Sequence, residues 1–145
     1  MDAVTLVEYG EGTVFASKAL KVDALPVIHS TETYALRFKA DGQTIVHSAD
    51  TAYCEPLIGF ARGADILVHS AMTVTDLRER WAARWDEIQA IMATPGEAGR
   101  IARLAQAKKL VLVHLPPQAD PLAVRVECAG KFDGEIFVGQ DLMSI

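Results

Sequence analysis

Apolar and polar positions change their rhythm once along this chain. In the first third they tend to alternate by twos, the period of a half-buried strand. Tyr34-Ala35-Leu36-Arg37-Phe38-Lys39 does so cleanly. Asp41-Gly42 follows as a strong hairpin turn, and Gln43 to Ser48 reads as the returning strand. Upstream, residues 4–9 and 13–16 flank Gly10-Glu11-Gly12, which predicts another hairpin. Residues 20–28 supply a third strand that ends at His29. The first third is therefore expected to be antiparallel β.

After Asp50 the period lengthens. Glu55 to Arg62 reads as a short amphipathic helix closed by Gly63, and Ile66-Leu67-Val68-His69 as a buried strand. From Asp76 to Met92, apolar residues fall at Leu77, Trp81, Trp85, Ile88 and Ile91, a helical repeat that Thr75 or Asp76 can cap. Thr94-Pro95-Gly96-Glu97 has the form of a capping box and opens a helix to about Gln106. Leu110–His114 is a further buried strand, Asp120 to about Ala129 a helix, and Glu135–Val138 a closing strand. Strands that alternate with helices imply a parallel or mixed sheet, so the fold class is α/β, in one domain spanning residues 1–145.

Composition narrows the partners. Half of the 145 residues are hydrophobic and 23% are charged, as in a globular domain with a real core. A net charge of −5 with scattered Lys and Arg argues against a nucleic-acid groove. Cys54 and Cys128 are far apart and form no CxxC pair, so they are expected to be reduced and structural. Neither a basic leader nor an apolar run of membrane-spanning length is visible, and the expected location is the cytoplasm.

Candidate chemistry sits at strand ends. Three apolar runs each deliver one potential metal ligand at or just past their end: His29, Asp50 and His114. The four histidines, His29, His47, His69 and His114, lie 18, 22 and 45 residues apart, so no HxH or HxxxH pair makes a local chelate. An isolated strand-end histidine is more often structural, and Asp50 also suits a helix start or an Asx turn. His47, three positions before Asp50 within a strand, should face away from the rim and is read as structural. Ser48 and Ser70 lack a GxSxG elbow, and Gly96 and Gly99 do not make a phosphate loop.

Four segments in order carry a more specific likeness: LPVIHSTETYALRF, GQTIVHSADTAYCEPLIGFARGADILVHSAM, MATPGEAGRIARLAQAKKLVLVH and GEIFVGQDLMSI. Together they resemble the C-terminal half of a metallo-β-lactamase superfamily hydrolase, nearest the ribonuclease Z branch, from about Val4 to Ile145. The resemblance implies half of a four-layer αββα sandwich, a mixed sheet with helices on one face. It also implies His29 as a first-site metal ligand, Asp50 of SADT as the carboxylate bridging two metals and the catalytic aspartate, and His114 as a second-site ligand. The metals would be zinc or manganese, lowering the pKa of a bridging water, and none would bind if the site is degenerate. His69 and Thr94 stand as possible residues behind those ligands.

The departures from the family pattern shape the expectation. No HxHxDH motif occurs in this chain. The position of the family's HEAT reads His69-Ser70-Ala71-Met72, without the Glu. The position of its HST reads Met92-Ala93-Thr94, without the His. The expected protein is a half-fold with an incomplete metal site, forming a homodimer through an exposed apolar sheet face that Val22, Ala24, Leu36, Phe38 and Ile45 would share. The alternatives are a hydrolase of phosphodiesters or other esters, completed by a separate N-terminal half or across the dimer, and a small-molecule or protein binding module that reuses the cleft.

Overall fold

The computed structural model describes residues 6–73 and 82–145. Seven strands form a single sheet whose spatial order repeats the chain order: β1 (Gly12–Ala16), β2 (Lys21–Pro26), β3 (Tyr34–Ala40), β4 (Gln43–His47), β5 (Ile66–Ser70), β6 (Lys109–Val113) and β7 (Glu135–Val138). The first four strands pair antiparallel, and β4 to β7 pair parallel. The sheet is mixed for a local reason. Asp41 and Gly42 both take positive φ, 51° and 74°, as a two-residue hairpin turn requires, whereas each later connection carries a helix.

Helices α1 (Glu55–Phe60), α3 (Pro95–Ala105) and α4 (Pro121–Ala129) cover one face. Leu57 and Ala61 next to it, Ala98, Ile101, Ala102 and Ala105, and Val124 and Cys128 pack on Val46, Leu67, Leu110, Leu112 and Ile136. These strand residues lie side by side across β4 to β7, which puts them on one face of the pleat. The capping box forms: Thr94 Oγ1 accepts from Glu97 N at 3.2 Å, and Glu97 Oε2 accepts from Thr94 N at 2.8 Å. Helix α3 closes at Gln106 in the left-handed conformation, φ 56°. Gly99 lets α3 press on α4, since a Cβ there would lie 2.8 Å from Cys128 O.

Beyond α1, on the same face, Asp23 is buried under Thr13, Lys21 and Arg37. Hydrogen bonds from Lys21, Thr13 and Arg37 hold its carboxyl well below the usual carboxylate range, against the opposing effect of burial. Arg37 also lies over the Phe60 ring, 4.5 Å from its centroid.

Two sequence expectations are corrected. β1 pairs with β2, not with residues 4–9: Leu6–Gly10 form no strand, and residues 4 and 5 lie outside the described residues. The turn that decides this is built by Ser17, whose Oγ accepts from Ala19 N and Leu20 N, while Ser17 N donates to Leu20 O. Of the helix expected over 76–92, only residues 82–92 are described, and there it is broken into a 3₁₀ turn at Ala82–Arg84 and a short α2 (Trp85–Gln89), ending before Met92. Thr75, Asp76, Leu77 and Trp81 lie outside the described residues.

Candidate functional site

The carboxyl ends of the parallel strands form a rim, the usual place for ligands in an open α/β sheet. Asp50 follows β4, and His114 follows β6 with φ 57°. The two meet directly, His114 Nδ1 lying 2.7 Å from Asp50 Oδ1. Ala49 takes φ 54°, a left-handed conformation that costs a non-glycine residue strain. Thr51, fully buried, locks the loop to the end of β2: its Oγ1 accepts from Ile28 N at 3.1 Å and donates to Ala52 O at 2.9 Å. Ala52 N in turn donates to Ile28 O. His29 therefore follows the residue to which the Asp50 loop is pinned.

Hydrogen bonding assigns the imidazole tautomers, because a carbonyl or carboxylate oxygen only accepts. His29 Nδ1 donates to Ile91 O at 2.9 Å, His69 Nδ1 to Ser70 O at 2.6 Å, and His114 Nδ1 to Asp50 Oδ1. Each of these rings, when neutral, keeps its Nε2 lone pair free, the arrangement in which histidine ligates metals. His47 is opposite. Its Nδ1 accepts from Ala49 N, and the register places it on the uncovered sheet face.

The candidates are thus not equivalent. Asp50 and His114 touch, and both are open to solvent, with side-chain exposures of 37% and 57%. His29 is near them along the chain but turns its ring to Ile91. Among the described residues, no three His, Cys, Asp or Glu side chains form a group able to hold a metal. His69 is fully buried on the helix-covered face with Nε2 unpartnered, and burial lowers its pKa to about 4. Thr94 is engaged in capping α3. Burial pushes the Cys128 thiol up to about 12 and the Cys54 thiol upward too, so neither is a ready thiolate.

The donor types therefore suit zinc or manganese, but among the described residues only two, Asp50 and His114, are brought into contact, and a zinc centre takes at least three protein ligands. Two contacts were not legible beforehand: the Ile91 carbonyl that orients His29, and the direct Asp50–His114 hydrogen bond. Nothing in the spacing pointed to Ile91, whereas two ligand-type residues just past the ends of apolar strands, β4 and β6 on either side of β5, were a signal for the pair.

Comparison with known proteins supports the same reading of the fold. The model of the β-lactamase superfamily domain matches residues 2–115. An uncharacterised protein of Mycobacterium leprae, ML1173, is 34% identical over 119 residues, 81% of this chain and 39% of its own length. Ribonuclease Z of Halobacterium salinarum is 32% identical over 136 residues, 93% of this chain and 37% of its own length. The crystal structure of the metallo-β-lactamase fold protein YhfI from Bacillus subtilis superposes with a TM-score of 0.73 at 28% identity, covering 88% of this chain and 49% of that one. The chain thus spans about two fifths of the length of the curated relatives it matches. With the family model over most of its residues and relatives above 30% identity, the chain belongs to the metallo-β-lactamase superfamily, on its ribonuclease Z-like side.

Proposed function

We propose that the chain supplies one wall, and part of the donor set, of a metal-dependent hydrolase centre acting on a phosphodiester or another ester. The observation that carries this reading is the Asp50–His114 pair at the rim, with the Asp50 carboxylate engaging Nδ1 so that Nε2 of the neutral ring keeps its lone pair. His29, held by Ile91 O in the same tautomer, is the third donor this chain offers. The kinship with ribonuclease Z favours hydrolysis of a phosphate ester, that with the probable metallo-hydrolase YhfI favours hydrolysis more broadly, and the −5 charge favours a small substrate over a large RNA. The remaining ligands have to come from outside the described residues, so the isolated chain is expected to hold metal weakly and to turn over little.

Zinc and manganese titration by calorimetry tests this on the wild type, His114→Ala and Asp50→Asn, with bis(p-nitrophenyl) phosphate hydrolysis read alongside. The expected result is at most one ion per chain, weakened at least about tenfold by either substitution, and hydrolysis near background. Binding that neither substitution changes, or two tightly held ions per chain, would count against it.

A second reading rests on two residues. Ser70 stands where the family pattern has Glu, and Met92 where it has His, so the chain would be a scaffold that keeps the fold without the chemistry. A wild type that takes up no metal would favour that reading.

A further inference from the structure

Ala49 is gripped at both of its backbone polar groups by the two side chains that precede it. Its N–H donates to His47 Nδ1 at 3.0 Å, and its carbonyl accepts from Ser48 Oγ at 2.6 Å. The second bond fixes the peptide plane that leads into Asp50. Ser48 is fully buried, and its Oγ also accepts from Ser70 N at 3.1 Å, which ties the grip to the end of β5. The next amide, Ala71 N, donates to Val113 O at 3.0 Å, immediately before His114. Two consecutive amides, at and just past the end of β5, therefore anchor the approaches to both members of the Asp50–His114 pair. Downstream of Asp50, Thr51 and Ala52 close the same loop against Ile28.

A left-handed alanine persists only where its surroundings over-determine it. Most of the holds on this loop come from backbone or from buried hydroxyls. His47 is different. The register sets it between Leu36 of β3 and Val68 of β5, on the sheet face opposite the helices and outside the core. Its ring still takes a hydrogen bond that requires a lone pair on Nδ1. The neutral ring therefore carries its proton on Nε2, the reverse of His29, His69 and His114.

We infer that His47 is a positioning residue for the Asp50 carboxylate, acting through the Ala49 backbone and not by contact with metal or substrate. In the Nε2–H tautomer the ring holds Ala49 N, Ala49 stays left-handed, and the following peptide presents Asp50 Oδ1 to His114 Nδ1. Without an acceptor at position 47, Ala49 is free to relax to negative φ, which turns the Asp50 side chain away from His114. The use of this device in catalysis rests on the metal-centre reading proposed above. The positioning itself is a property of the metal-free chain.

The test is nitrogen-resolved NMR of the histidine rings in the intact chain, with chelator present, at about pH 8, above the ordinary imidazole range. In the wild type, His114 should carry its proton on Nδ1 and His47 on Nε2. His47→Phe keeps a ring but no acceptor, and the Nδ1–H share of His114 should fall by about half or more, towards the mixture of a ring free in water. His47→Asn, whose side-chain oxygen can accept from the amide two residues on, should restore the wild-type form. Asp50→Ala sets the value for a ring freed of its carboxylate. A His114 tautomer that does not move in His47→Phe, one that His47→Asn fails to restore, or a wild-type His47 protonated on Nδ1 would overturn the inference. Zinc titration of the same proteins without chelator reads the metal centre separately: His47→Phe should weaken binding about tenfold, and His47→Asn should leave it near the wild type. A chain that takes up no zinc yet shows these tautomers would remove the metal-centre reading and leave the positioning standing.

Discussion

His69 offers a quantitative test of the core. Its ring is fully buried beneath the helices, with one nitrogen on the Ser70 carbonyl and the other without a partner. Burial lowers its pKa from 6.5 to about 4, with the Ser70 hydrogen bond opposing and the nearby His47 adding slightly. The direction of the linkage follows. Above pH 6.5 the ring is neutral in both states, and its environment puts no pH dependence on stability. As pH falls below 6.5 the unfolded chain takes up a proton that the folded chain refuses, so stability declines until about pH 4, where the folded ring also protonates. The loss is about 2 kcal/mol at pH 5 and about 3 kcal/mol at pH 4. Asp23 does not interfere in this window. Hydrogen bonds, first from Lys21, hold its carboxyl low, so its contribution is complete above the unfolded value near 4 and fades only in stronger acid.

The perturbation is His69→Asn, whose amide nitrogen can still donate to Ser70 O. Loss of ring volume should reduce stability at pH 7 by about 1–3 kcal/mol. Urea unfolding followed by circular dichroism, at fixed protein concentration and at pH 7, 6 and 5, gives the slope. Other titrating groups are common to both proteins and cancel in the difference. The variant should lose about 2 kcal/mol less than the wild type between pH 7 and 5. Equal slopes would refute a buried neutral histidine at this position.

Two further substitutions test the helices. Thr94→Ala removes one arm of the capping box and leaves the other unsupported, and should lower stability by about 1–2 kcal/mol; Thr94→Ser should recover most of it, which separates capping from bulk. Gly99→Ala should lower the melting temperature on the order of 5 °C, because its Cβ would meet Cys128 O at 2.8 Å and Sγ at 3.1 Å, backbone that cannot move without parting α3 from α4. A Gly99→Ala protein as stable as the wild type would mean that this contact is looser than the structure has it.

What the sequence disclosed depended on how local the cause was. The turn at Asp41-Gly42 and the capping box at Thr94–Glu97 are settled within four residues, and both formed where the spacing placed them. The alternation of Tyr34–Lys39 fixed which residues share a face, and the register follows it. The first hairpin was misjudged because Gly10 and Gly12 were the louder turn signal, while the turn itself hangs on the single hydroxyl of Ser17. The Asp23 cluster joins residues 13, 21, 23 and 37 only after three strands have paired, and no pairwise spacing announces that. At the rim, three strand ends pointed to His29, Asp50 and His114. Which of them touch depended on loop conformations at Ala49 and His114, where positive φ in a non-glycine residue leaves no mark in the sequence.

The sheet's spatial order has a bearing on how the chain acquires its shape. Because β1 to β7 stand side by side in the order of synthesis, each strand docks on the free edge of what has already emerged, and no earlier strand has to part to admit a later one. The antiparallel hairpins close over short loops and come first. The parallel strands follow one helix-bearing crossover at a time, which keeps loop-closure entropy low for a sheet of this kind. Assembly can therefore proceed like zipping from one side, each new strand adding to the edge that its predecessor leaves.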